Sequence, residues 1–171
     1  MPAHPASWLI DNLDRMPRGR RVLDVASGRG RHTLHLAAAG WRVHAVDRDA
    51  AALDALREST RGLPGMVTTE VIDLETEMPP SLGVEQYGTV LVFNYLHRPL
   101  MPAIVAAVEP GGVLIYETFT TGQAARGRPT SPAHLLRDGE LPAIVAPLVV
   151  RRAREGDIDG ALISSIVAER R

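Results

Sequence analysis

Short apolar runs alternate along the chain with stretches in which apolar positions recur every third or fourth residue. "RVLDVA" (21–26), "WRVHAVD" (41–47), "MVTTEVID" (66–73), "GTVLVFN" (88–94) and "EPGGVLIYET" (109–118) are rich in β-branched residues and too short for helices, so they predict five strands. Between the first two, "RHTLHLAAAG" (31–40) predicts a helix with Leu34 and Ala37 or Ala38 on one face and Gly40 closing it. Asp49 fits the N-cap of a second helix, "AAALDALREST" (50–60), whose Leu53 and Leu56 share a face. A third helix holding "AIVAAV" (103–108) begins near Pro99 or Pro102. Strands alternating with helices predict a parallel sheet covered by helices.

The pattern changes after residue 118. Residues 119–132 are rich in Gly, Thr, Arg and Pro and predict a loop or lid, which continues to about 140, with Ser131 as N-cap and Pro132 opening a short helix. In the last stretch (144–171) two β-rich runs flank "EGDIDG", the pattern of a hairpin that turns the far edge of the sheet antiparallel. The expectation is one domain over residues 1–171. Its fold is an α/β Rossmann-like three-layer sandwich, with a mostly parallel seven-stranded sheet and an antiparallel C-terminal hairpin behind a short segment, residues 1–20.

The tightest feature is the turn that leaves the first strand, "DVASGRG", Asp24 to Gly30. Glycine admits positive φ and close backbone approach, so Gly28 and Gly30 at a strand-to-helix turn point to a ligand lying on the helix N-terminus. Asp24 precedes the turn, Asp47 closes the second strand and Asp73 the third. Three neighbouring strands ending in acids make a row of acceptors over one crevice, suited to the hydroxyls and amine of a nucleoside.

Composition narrows the chemistry. The 171 residues contain no cysteine and all nineteen basic residues are arginine. Thiolate nucleophiles, cysteine zinc sites, a P-loop lysine and Schiff-base lysines are therefore excluded. A formal charge of −1 supplies no basic field for nucleic acid or an anionic membrane surface. No apolar run approaches the ~18 residues of a membrane span and no leader is evident, so the expectation is a soluble cytoplasmic protein with no membrane partner.

A dinucleotide-binding turn places a third glycine at residue 33, where this chain has Thr33, which disfavours an NAD-dependent oxidoreductase. The pattern D-x-A-x-G-x-G, with Ala26 where glycine is more usual, instead resembles the first motif of class I S-adenosylmethionine-dependent methyltransferases. "AVDRD" resembles the second motif of that family, "VIDLE" the third, "GTVLVFNYLH" the fourth strand and its loop, and "VEPGGVLIYET" the turn into the fifth. Within the family, "LLRDGEL" followed by the hairpin resembles the small TehB-like group. The resemblance runs from about residue 20 to the end and implies S-adenosylmethionine as cofactor. Gly28 and Gly30, beside Ala26, would line its methionine moiety, and Asp24 would reach the amino group directly or through water. Asp47, followed by Arg48, would hold the ribose hydroxyls, Asp73 the adenine amine, and the Leu74 backbone the ring. Asn94 and Tyr95 would border the sulfonium.

Methyl transfer is an in-line displacement that needs no obligatory base. His97, Tyr95 and Tyr116 are the catalytic candidates, with Arg98 and Glu117 beside them. His32 and His35 stand three apart with no third ligand evident, so no metal is expected. "NYLH" lacks the N/D-P-P-Y/F sequence of amino-methylating nucleic-acid enzymes, and Arg126, Arg128 and Arg137 could take an anion. A small-molecule acceptor is therefore preferred over nucleic acid. Only about twenty residues precede the first strand, so an open site is expected. Its roof must come from residues 1–18, from the lid, or from another subunit, in a homo-oligomer or a larger assembly. The alternative within the same reading is a cofactor-binding module without activity.

Overall fold

A computed structural model describes residues 4–171. Seven strands form one sheet: β1 (Arg21–Val25), β2 (Arg42–Asp47), β3 (Met66–Val71), β4 (Tyr87–Phe93), β5 (Val108–Phe119), β6 (Val149–Ile158) and β7 (Ala161–Glu169). Their order is β3-β2-β1-β4-β5-β7-β6. The first five are mutually parallel, and β7 inserts antiparallel between β5 and β6. The predicted Rossmann-like architecture is thus the one observed. Asp159 and Gly160 at the hairpin tip both have positive φ, 52° and 85°, the backbone that a two-residue turn requires to match the twist of its strands.

The helices are α1 (Ser7–Ile10), α2 (Arg31–Ala38), α3 (Ala50–Ser59), α4 (Met101–Ala107) and α5 (Glu140–Ile144). Alternation along the strands sorts their side chains to two faces. Val22, Val43, Leu91, Phe93, Ile115 and Val167 pack with Leu36 and Trp41 on the face that α2 covers. Leu23, Val25, Val90, Val92, Leu114 and Tyr116 pack on the other with Ile104 of α4 and Leu141 of α5. All seven residues of β4 are buried, as expected of a central strand covered on both sides. The chain passes from one face to the other between β1 and β4, and their neighbouring carboxyl ends open a crevice.

Several local expectations hold and others shift. Asp49 caps α3, its carboxylate accepting from Ala52 N–H at 3.0 Å. Leu53 and Leu56 are buried beneath that helix. On α2 the buried stripe is His32, Thr33, Leu36 and Ala37, while Leu34 turns toward Leu53 and Leu56. β3 pairs only to Val71, so Asp73 lies two residues beyond the ladder. Ser131 makes no capping hydrogen bond, and Pro132 opens a single 3₁₀ turn, Pro132–His134.

The N-terminal segment does not roof the crevice. Trp8 and Leu9 of α1 are buried against the sheet face over β4, β5 and β7. The Trp8 indole donates to the Ile166 carbonyl at 3.0 Å, and the Arg152 and Arg154 guanidinium groups lie over its ring at 5.2 and 4.6 Å. Arg154 also reaches Glu117 at 3.0 Å, and Ser165 Oγ donates to the same carboxylate at 2.6 Å. These contacts take Glu117 out of contention as a group facing the crevice. The segment replaces a covering helix, and residues 1–3 of the expected roof lie outside the described residues.

Residues 119–140 are fastened rather than free. Leu136 N–H donates to the Phe119 carbonyl and Thr121 N–H to the Leu136 carbonyl, each at 2.9 Å. Arg98, after β4, forms a two-pronged pair with Glu140 at 2.6 and 2.7 Å and reaches the Leu135 carbonyl at 2.8 Å. Its hydrogen bonds hold Glu140 below the ordinary carboxylate range. What stands out from these anchors is a strap, residues 126–134. Among the described residues no helix is long and apolar enough to cross a membrane. Trp8→Ala removes a buried indole, its hydrogen bond and two cation contacts. It should lower unfolding free energy by about 3 kcal/mol, read as a fall in the urea midpoint with unchanged slope.

Candidate functional site

β1 ends at Val25, and the chain then turns through Ala26 at φ 52°, Gly28 at 54° and Gly30 at 72° before α2 begins. A non-glycine residue in the left-handed region costs about 1 kcal/mol and persists where neighbours over-determine it. Here the determinant is Asp47, the last residue of β2. Its Oδ2 accepts Gly28 N–H at 2.7 Å and its Oδ1 accepts Asp49 N–H at 2.9 Å. One carboxylate so ties the turn after β1 to the loop after β2. Each of its oxygens keeps a second lone pair for a ligand.

The two glycines of the turn serve different ends. A Cβ on Gly28 would meet nothing within 4 Å, whereas one on Gly30 would stand 2.4 Å from Leu56 Cδ1. Gly28 therefore presents bare backbone to open space, and Gly30 lets α3 pack against the start of α2. The expectation that both are glycine for the sake of a ligand is corrected for Gly30, which still borders a cavity.

Three cavities adjoin along the carboxyl edge of the sheet. The first, of about 160 Å³, lies at the ends of β2 and β3 and takes in Asp47, Arg48, Asp73, Leu74 and Tyr95 together with Ala26. The second, of about 280 Å³, lies along the glycine turn and takes in Asp24, Ala26, Gly30 and Asn94. The third, of about 700 Å³, lies between the loop after β4 and the strap. Ala26 borders the first two, Asn94 the second and third, and Tyr95 the first and third.

The predicted row of three strand-end acids is corrected in two respects. Asp47 and Asp73 do share a cavity, but Asp73 sits in the loop, where its Oδ1 accepts Glu75 N–H at 3.0 Å. Asp24 is inside β1, paired with Ala45 and Leu91, and lines the adjoining cavity. Its side chain is buried on the α2 side and takes the Thr33 hydroxyl at 2.7 Å. Thr33 thus fills, with a polar bond, the space that a third glycine leaves for close packing in dinucleotide-binding turns. Burial raises the Asp24 carboxyl from 3.8 to about 6, against the opposing pull of the Thr33 hydrogen bond.

After β4 the chain turns through Asn94, also at positive φ, 54°. Tyr95 follows, and its carbonyl accepts the Tyr116 hydroxyl at 2.7 Å. Tyr116 is fully buried, so it positions the loop from the core and cannot meet a substrate. Tyr95 remains at the crevice with a buried hydroxyl that has no partner. Burial, then the Glu75 and Asp73 charges, hold that phenol well above its ordinary value, so it is neutral. His97 borders none of the three cavities. His32 is buried, its Nε2 accepting Ala6 N–H at 3.3 Å. Burial pushes its imidazole down to about 3, which keeps it neutral. Among the described residues no group of three His, Asp or Glu side chains is placed to hold a metal ion.

The cavities also contain residues the sequence reading passed over. Ile72 faces the first beside Leu74, and Arg29 and Arg31 flank the second. The third includes Phe119 and His134, beside Arg128, which the sequence had already offered as an anion-binding residue. An apolar residue immediately before Asp73 and arginines on both sides of Gly30 were visible signals. His134 had none, because the fold of the strap brings it in.

A family model described as "Methyltransferase domain" matches residues 22–112. No curated protein matches the sequence. Among solved structures, TehB from Haemophilus influenzae superposes with a TM-score of 0.77 at 15% identity, over 98% of this chain and 63% of that one. The chain thus spans under two thirds of the TehB length. An S-adenosylmethionine dependent methyltransferase from Mesorhizobium loti gives 0.76 at 16% identity, over 96% of this chain and 98% of its own. The glycopeptide N-methyltransferase MtfA, complexed with sinefungin, gives 0.65 at 17% identity over the full length of both chains. At these identities the structures share the fold. The matched residues run from β1 through the turn and the ends of β2, β3 and β4 into β5, more than half the sequence and all of the crevice except Phe119 and the strap, and so the chain belongs to the methyltransferase domain family.

Proposed function

We propose that the chain is an S-adenosylmethionine-dependent methyltransferase that acts on a small molecule. The observation that carries this reading is the pairing of bare backbone at Gly28 with the Asp47 carboxylate that anchors it, at the carboxyl edge of the sheet where β1 and β4 part. The residues fit the cofactor. Asp47 has lone pairs left for the ribose hydroxyls. Asp73 accepts from the adenine amine, with Ile72 and Leu74 as apolar walls beside it. The Asp24 carboxylate, and Arg29 and Arg31 around the turn, complement the amino and carboxylate groups of the methionine end. When bound, the cofactor supplies an electrophilic methyl group on a positively charged sulfur.

The chain's own contribution is placement. Asn94 and Tyr95 stand where the cofactor cavities meet the third cavity, and Tyr116 fixes that loop from beneath. Holding two reactants in line is the larger part of the catalysis such a displacement requires. Tyr95 is neutral and borders both the first and third cavities, where it shapes their junction, while its hydroxyl is buried without a partner. His97 is displaced as a candidate because it borders none of the three cavities.

Titration calorimetry with S-adenosylhomocysteine and with NAD⁺ tests the reading. The first should bind and the second should not, and binding of NAD⁺ alone would overturn it. Asp47→Ala should weaken S-adenosylhomocysteine by about 1–3 kcal/mol, a loss of roughly 5- to 150-fold in Kd. Asp24→Asn should act in opposite directions on stability and affinity. Because the native pKa lies above the unfolded one, Asp24 costs stability progressively as pH rises from about 4 to about 6, by up to about 3 kcal/mol. The Asn variant escapes that cost. Its melting temperature relative to the parent should therefore be higher at pH 7.5 than at pH 4.5, while its affinity for S-adenosylhomocysteine falls. A melting difference that is flat in pH would refute the buried-acid assignment.

A further inference from the structure

Charge is distributed unevenly among the three cavities. Asp47, Asp73 and Glu75 gather at the first, with Arg48. The third has one guanidinium, Arg128, beside the His134 imidazole, and no carboxylate in its lining. The other arginines of residues 119–140 are placed differently. Arg126 donates to Asp157 at 2.5 Å, near the hairpin tip, and Arg137 lies outside the lining. Arg128 is exposed and makes no hydrogen bond or ion pair with any described residue. A guanidinium keeps its charge at every working pH and offers a planar fork that fits a carboxylate. The same cavity has apolar walls, with Leu96 from the loop after β4 and Phe119 from the end of β5. Its volume of about 700 Å³ is that of a site for an organic small molecule.

We infer, building on the methyltransferase reading above, that this third cavity takes a small organic acid as the methyl acceptor. The acid's ring-sized apolar body lies against Leu96 and Phe119 with its carboxylate on Arg128, and a second nucleophilic atom, a hydroxyl oxygen or amine nitrogen, is turned toward Asn94 and Tyr95. With S-adenosylmethionine bound, that atom would bond to the methyl carbon as the carbon–sulfur bond breaks, S-adenosylhomocysteine would leave and the acceptor's proton would pass to solvent. Three features of the cavity select this class. The single unpaired guanidinium favours an anion, and the absence of acids removes the repulsion an anion meets at the first cavity. The apolar walls favour a carbon skeleton over a bare inorganic oxyanion, which could not cover them. A nucleic acid needs several cations along its phosphates, and this cavity has one guanidinium.

Calorimetry on the full chain saturated with S-adenosylhomocysteine tests the inference, using benzoate, its neutral isostere benzamide, and selenite as probes. Saturation itself is the control for the underlying reading: if S-adenosylhomocysteine does not bind, that reading fails and this one with it. With the cofactor product bound, benzoate should bind about tenfold or more tightly than benzamide, and more tightly than selenite. Arg128→Met should bring benzoate to the level of benzamide. Arg137→Met, outside the cavity lining, should keep the preference. Unchanged S-adenosylhomocysteine affinity in both variants shows that each is folded. Benzoate no tighter than benzamide, a preference that survives Arg128→Met, or selenite binding more tightly than benzoate would each overturn the inference while leaving the cofactor assignment standing.

Discussion

The crevice depends on a carboxylate that is satisfied twice by backbone. Asp47 holds Gly28 N–H at 2.7 Å and Asp49 N–H at 2.9 Å, so the turn after β1 and the loop after β2 move as one piece. Charge-assisted bonds of this kind are shorter and about twice as strong as neutral ones. They offset the left-handed backbone at Ala26 and leave Gly28 open to solvent space. Everything that makes the first two cavities a continuous surface follows from that join: Ala26 borders both because the turn cannot swing away from β2.

A second fixed point lies across the switch in the sheet. Tyr116 rises from the buried middle of β5 and donates to the Tyr95 carbonyl, which sets the loop after β4 from inside the core rather than from solvent. Arg98 then carries the loop to the strap through Glu140 and the Leu135 carbonyl. The proposed cofactor side is therefore built from strand ends, and the proposed acceptor side from a loop and a strap that the core and one ion pair hold in register.

Most of the fold was readable because its signals are local. Short β-branched runs predicted the strands, Asp49 the cap of α3, and the glycine-bearing tip the hairpin. What was not readable depends on which face a residue meets. Asp24 looked like a strand-end acid, but its position in β1 turns it toward Thr33 beneath α2, and period-two alternation alone does not say which helix lies there. Gly30 looked like a ligand glycine, yet its left-handed backbone at φ 72° and the Leu56 side chain, twenty-six residues away, account for its having no side chain. The N-terminal segment was one of three sources expected for a roof over the crevice, and Trp8 instead found the uncovered face of β4, β5 and β7 through a contact spanning 158 residues. Among the site residues, those on strand ends and their loops, Asp47, Asp73, Leu74, Asn94 and Tyr95, were all placed at the crevice. Of the catalytic candidates, His97 and Tyr116 do not border the crevice, since sequence proximity to a strand end does not fix the direction of a side chain.

The strap has a consequence for how such a protein can change. It is fastened at Thr120 and Leu136 and again through Arg126 and Glu140, while the residues that meet the third cavity, 128–134, make few contacts elsewhere. Under the proposed function, replacements there would alter what is admitted without disturbing the sheet or the turn that Asp47 secures. Diversification of acceptor range and retention of the cofactor floor would accordingly be separable traits, confined to different stretches of one polypeptide.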